Sequence, residues 1–232
     1  MKKLGILIFI VAILAGVVFA NLFSFGRLTE KLFNFSFGSG IKGSAVAGSE
    51  ARSANGFSGI NVGGVFQVEI TAGKDFSVEV EADNNLLPYI KTEVEGRVLH
   101  IESTERIDSH TPLRVRISAP DIESVDASGA SKVSIVGIDN SSLKIDTSGA
   151  SKVKIQGETA EIRIEVSGAS SIDAESLTAK SAAVDAGGAS SVNLFVTERL
   201  VSNASGASKI SYSGNPASVE KKTSGASSIR QK

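Results

Sequence analysis

The chain has 232 residues and carries 24 Lys and Arg against 25 Asp and Glu, a net charge of −1. That balance, without a basic stripe or an acidic tail, excludes nucleic acid as a partner. The absence of Cys excludes disulfides, thiolate metal sites and a lipid-modified cysteine, and the absence of Trp leaves a core of Val, Ile, Leu and Ala.

Residues 1–26 read as a transmembrane anchor or signal segment. Lys2 and Lys3 precede Leu4–Ala20, a run of 17 residues without a polar side chain. Val18-Phe19-Ala20 before Asn21 satisfies the small-residue rule for signal cleavage, yet the run exceeds the usual signal core. Counted through Phe23 it is 20 residues, enough at about 1.5 Å per residue to span about 30 Å of hydrocarbon. Anchor and cleaved signal both stay open, and both place the lysines inside and the remainder outside the cytoplasm. Phe25, Leu28, Leu32 and Phe35 follow at helical spacing, as a helix lying on the membrane or one packed on the domain. Residues 27–54 are therefore expected to hold this juxtamembrane helix and a Gly/Ser/Ala-rich tether.

The exported domain is expected over 55–232, with irregular first coils or a cap over 55–120. Phe66, Val68 and Ile70 alternate with polar residues, as do Phe76, Val78 and Val80, then Leu113, Val115 and Ile117. Period-two alternation predicts strands with one buried face. Ala72-Gly73-Lys74-Asp75 and Glu95-Gly96 supply turns, and Asn84–Tyr89 predicts a loop or one helical turn.

From residue 121 to 232 one tetrapeptide recurs six times. Ser-Gly-Ala-Ser, once Gly-Gly-Ala-Ser, is centred on Gly129, Gly149, Gly168, Gly188, Gly206 and Gly225, at steps of 20, 19, 20, 18 and 19 residues. A fixed period near 20 residues marks a solenoid whose coils bury themselves only against their neighbours. Apolar and polar residues alternate on both sides of each copy, so each coil should hold about two strands stacked in parallel. The fold class is all-β, a parallel β-helix (β-solenoid) with coils of about 20 residues behind the N-terminal helix. Each glycine marks a corner needing positive φ or close backbone approach. The alanine after it should fit a tight interior, and the serines should share hydroxyl bonds up the stack and satisfy polar atoms at the corner.

Three residues before the glycines stand Asp126, Asp146, Glu165, Asp185, Asn203 and Lys222. In register, the four carboxylates form one column at strand spacing. Like charges so stacked need an offset. Lys144 and Arg163, two residues before Asp146 and Glu165, provide one, and calcium on Asp126, Asp146, Glu165 and Asp185 would provide another. The glycine-rich calcium nonapeptide is missing; a solvated face is the ordinary meaning of such a stripe.

Asn55-Gly56-Phe57-Ser58-Gly59-Ile60-Asn61-Val62, then Val65–Ile70, Val78–Leu87 and Ile90–Ile101, resemble the auto-transporter adhesin head GIN domain family; Gly59-Ile60-Asn61 is the namesake triplet. The Ser-Gly-Ala-Ser ladder is similar to that family's second half. The resemblance covers about residues 55–230 and implies a β-helical, adhesin-like domain of the bacterial envelope. It carries no binding residues across, and no large translocation barrel follows the ladder here.

A binding role is thus expected: a non-catalytic, exported envelope or surface domain, membrane-attached through the N-terminal helix, whose partner is an envelope polysaccharide, a glycan or a protein. The alternative is an envelope scaffold or sensor with a protein partner. A polysaccharide-active enzyme would need clustered carboxylates in a cleft, but His100 and His110 are isolated and the acidic column repeats with the fold. No cofactor is expected beyond that calcium. Self-association through a side face stays open, while Arg230 and Lys232 would deter end-to-end stacking.

Overall fold

The structure, a computed structural model, describes residues 40–232. The anchor or signal segment and the juxtamembrane helix lie outside the described residues. Among the described residues no helix is long and apolar enough to cross a membrane.

The first elements depart from the sequence reading. Ile41–Lys42 (β1) and Ala47–Arg52 (β2) are strands, although the small-residue composition there predicts a tether through residue 54. β2 gains its backbone partners from Ser77–Asp83 (β5), with Glu50 opposite Val80 in an antiparallel pair. Its Arg52 guanidinium also donates to the Leu87 carbonyl at 2.9 Å. Neighbouring backbone, not side-chain burial, makes this stretch a strand.

Gly59–Gly64 (β3) and Gln67–Ala72 (β4) follow, with β5 after the Gly73 turn. The expected helical turn is a 3-10 turn at Leu87–Tyr89 that leads into Ile90–Glu95 (β6). Val98–Ser103 (β7), Ile107–Asp108 (β8), which pairs with β1, and Arg114–Ala119 (β9) complete this part. β3 and β4 lie parallel on β7 and β9, whereas β2, β5 and β6 pair antiparallel. The antiparallel strands close the first end of the stack.

Ser124–Gly129 (β10) opens the regular part. Lys132–Thr147 (β11), Lys152–Val166 (β12), Ser171–Ala186 (β13) and Ser191–Ala204 (β14) each run from one corner to the next. Lys209–Ser213 (β15), Ser218–Thr223 (β16) and Ser228–Gln231 (β17) form the last coil. All pairing from β10 onward is parallel. Instead of two strands per coil, β11 to β14 are single strands bent within. In β11 and β12 the bend falls at Gly137 and Gly157, with φ of +79° and +136°, where the register shifts. A positive φ turns the chain without breaking its ladder, which alternation alone does not reveal.

The corners meet both expected demands on glycine. Gly149 and Gly168 have φ of +73° and +71°, and a Cβ on either would lie 2.4 Å from the carbonyl oxygen of the glycine one coil below. The alanine N–H uses that same carbonyl: Ala169 donates to Gly149 at 2.7 Å. The side chains around the corner point otherwise than expected. Ala150, Ala169 and Ala189 are exposed, and the serine after each is buried. In–out alternation carries through the corner, from Thr147 to Ser151 and from Val166 to Ser170, so position in the alternation rather than small size turns the alanine outward and the serine inward. The buried hydroxyls bond to backbone rather than to each other. Ser131 donates to the Gly64 carbonyl at 3.1 Å and Ser208 to that of Ala186 at 3.1 Å. Ser151, Ser170 and Ser190 have no hydroxyl partner among the described residues.

Inward columns make the core. Val133, Val153, Ile172, Val192 and Ile210 stack in one, and Ile145, Ile164 and Val184 in another. All are at most 3% exposed, a burial that contributes about 1.5–3 kcal/mol for each large aliphatic side chain.

Candidate functional site

The segments just before each corner present one outward face. Its register confirms the expected column: Asp126 pairs with Asp146, Asp146 with Glu165, Glu165 with Asp185, Asp185 with Asn203, and Asn203 with Lys222. The structure extends it at the other end through Asn61, beside Asp126, and His100, beside Asn61. His100 is therefore a member of the column, although its sequence surroundings place it outside the repeat.

The column forms one wall of an open groove of about 620 Å³ along the solenoid. The first serine of each corner forms the other wall, at Ser148, Ser167, Ser205 and Ser224, with Gly187 between. Thr147, Val166, Ala186 and Ala204 line the floor. The six corner glycines, Gly129 to Gly225, set this spacing because each repeats the same turn on the one before.

The stacked charges are offset within the face. Lys144 Nζ lies 2.8 Å from Asp146, and Arg163 Nε donates to Glu165 at 3.0 Å. Asn203 Nδ2 donates to Asp185 at 2.7 Å. These bonds hold the Lys144 and Arg163 cations more firmly than in free solution, raising both pKa values. Asp126 has no cation of its own. Burial and then the neighbouring Asp146 raise its pKa, against a smaller opposing pull from Lys144 and the hydrogen bond from Asn61.

Among the described residues no three His, Asp or Glu side chains converge to hold a metal. Ladder pairing spreads the four acids along the axis at about 4.8 Å per step. His100 stands in the column two strands from Asp126, with Asn61 between, and His110 lies outside it. His110 is 58% exposed and lies 3.7 Å from the buried Asp83 carboxylate. Burial would raise the Asp83 pKa, but the His110 N–H, the Thr111 hydroxyl and the Ser109 hydroxyl donate to it and hold it below the usual range. Asp83 pins the 109–111 loop and presents no free oxygen to a substrate.

One corner escaped the repeat count. Asn61-Val62-Gly63-Gly64 aligns with Asp126-Ala127-Ser128-Gly129, and Gly64 pairs with Gly129. The signal was the shared polar–apolar–small–Gly pattern; the long insertion between them hid it.

The sequence model of a family described as "Putative auto-transporter adhesin, head GIN domain" matches residues 56–216. The chain belongs to this family. Two solved structures share the GIN domain's fold. A putative adhesin from Bacteroides fragilis has a TM-score of 0.70 at 19% identity, covering 83% of this chain and 100% of its own. A putative adhesin from Parabacteroides merdae has a TM-score of 0.55 at 18% identity, covering 83% and 98%. The comparison with curated proteins finds no match. At these identities the likeness is one of fold, and the groove residues of this GIN domain are read from its own geometry.

Proposed function

We propose that the protein is a non-catalytic, adhesin-like binding module of the cell envelope. The observation that carries this reading is the groove, in which carboxylate, amide and hydroxyl side chains repeat in register on its two walls. An extended ligand meets the same set of hydrogen-bonding groups at every coil, which suits a glycan or an envelope polysaccharide. The family's description supports an envelope role. The Leu4–Ala20 run supports export and attachment to the cytoplasmic membrane, as an anchor or through a signal. Calcium bridging neighbouring acids of the column is the metal version of this reading.

The test is binding of the full chain, purified in mild detergent, to a panel of neutral and charged glycans with calcium and with chelator. Saturable binding that the groove-blocking pair Ser148→Arg and Ser167→Arg abolishes, at an unchanged melting temperature, is the expected result. Loss on chelation would assign calcium to the column. Binding to no glycan in either condition would overturn the reading in favour of an envelope scaffold with a protein partner.

A further inference from the structure

The strands that follow each corner carry a second outward face, whose charge differs from that of the groove. The register places Gln67, Lys132, Lys152, Ser171, Ser191 and Lys209 in one column, which ends at Ser228. No acid interrupts it. Lys132, Lys152 and Lys209 are exposed, and none forms an ion pair among the described residues, whereas the cations Lys144 and Arg163 of the groove face are both neutralised. A shallow cleft of about 340 Å³ runs beside Lys132 and Lys152; the next column lines it with Lys154, also unpaired, with Asp173, and with Glu69, which Arg114 and Arg116 already hold. Four lysines without an ion pair among the described residues, Lys132, Lys152, Lys154 and Lys209, thus share this face.

The column has a definite order: two cations, two hydroxyls, a third cation. The hydroxyls are already aligned, with Ser191 Oγ donating to Ser171 Oγ at 3.0 Å. Seven strand positions at about 4.8 Å span roughly 29 Å. No aromatic ring stands in the column to stack a base. The matching ligand is an extended polymer with anionic groups spaced among hydroxyls. We infer that this column binds an acidic polysaccharide. The inference rests on the reading of the domain as an exported binding module, but it uses a different face from the groove. The acidic column of a second copy fits less well, because its Asp146, Glu165 and Asp185 are already held by Lys144, Arg163 and Asn203.

The test measures binding of the full chain to polygalacturonate, dextran sulfate and neutral dextran at low and high salt. The parent should bind the two acidic polymers and not dextran, and salt should weaken that binding. The triple variant Lys132→Gln, Lys152→Gln, Lys209→Gln should bind roughly tenfold more weakly or worse, three exposed charge contacts having been lost. A control with the same charge change, Lys42→Gln, Lys74→Gln, Lys180→Gln, should bind like the parent. No binding at low salt, or an equal loss in the control, would overturn the inference. Self-association without polymer that only the column variant abolishes would overturn it too, assigning the column to a second copy. Binding of the acidic polymers lost in the Ser148→Arg and Ser167→Arg pair but kept in the column variant would sink this inference and leave the groove reading standing.

Discussion

A methyl group at Gly168 would lie 2.4 Å from the Gly149 carbonyl oxygen, on a backbone held at φ +71°. The left-handed conformation alone costs a non-glycine residue roughly 1–2 kcal/mol, and the clash with rigid backbone adds to it. Gly168→Ala should therefore lower stability by at least about 2 kcal/mol in urea titration, while Ala169→Ser, on an exposed side chain, should change it by less than about 0.5 kcal/mol. Equal midpoints for the two would mean that the stack yields at its corners. Asp126 supplies a second measurable contrast. Its folded pKa is raised, so its ionisation weakens the fold as pH climbs through the interval between the unfolded and folded values. Asp126→Asn should match the parent near pH 3, below the ordinary aspartate value, and exceed its stability near pH 7. Both demands on the corner glycine were legible in the sequence. The direction of the neighbouring side chains follows from alternation, with Val166 and Ser170 both inward and Ala169 outward; assigning Ala169 to the interior by its small size misleads.

Strand β2 shows where local composition misleads. Ala47-Gly48-Ser49-Glu50-Ala51-Arg52 has no apolar alternation, and its burial is slight, yet it pairs along its length with β5. Such a strand is specified by the edge it covers, which lies more than twenty residues away in sequence. A chain lacking residues 40–52 should show a lower urea midpoint and faster proteolysis around Leu87, since β5 loses its outer partner and the Leu87 carbonyl loses Arg52. An unchanged midpoint would return this stretch to the role of tether. The same insertion of β5 to β9 hid the Gly63-Gly64 corner from any search for a period. From Gly129 onward the steps are nearly constant, and there the register predicted around each corner agrees with the observed one, the shifts falling between corners.

The stack is finished differently at its two ends. Antiparallel strands close the first. At the second, β16 and β17 each pair on one side only among the described residues; Val219 and Ile229 continue aliphatic columns there, while other inward positions turn polar. Lys221 continues the column of Ile145, Ile164, Val184 and Ser202, and its ammonium sits 4.7 Å from the centre of the Tyr212 ring. Gln231 donates to the Gly214 carbonyl at 2.9 Å. An inward charge on an edge strand discourages pairing with another edge. Lys221→Val should accordingly give concentration-dependent association in sedimentation under conditions where the parent is expected to show none. The columns were readable because register follows from period; the ligand was not, because a solvated serine or lysine looks the same with or without a partner.

Growth of such a molecule is constrained by how it is finished. A further coil appended beyond Lys221 would have to stack on a lysine where the earlier ones stack on isoleucine, valine or serine. A coil duplicated internally, such as the nineteen residues from one glycine to the next between Gly149 and Gly168, meets like surfaces above and below. Tandem duplication within the ladder is thus the inexpensive route by which relatives would come to differ in length, each event adding one rung to both outward faces while leaving the two ends unchanged.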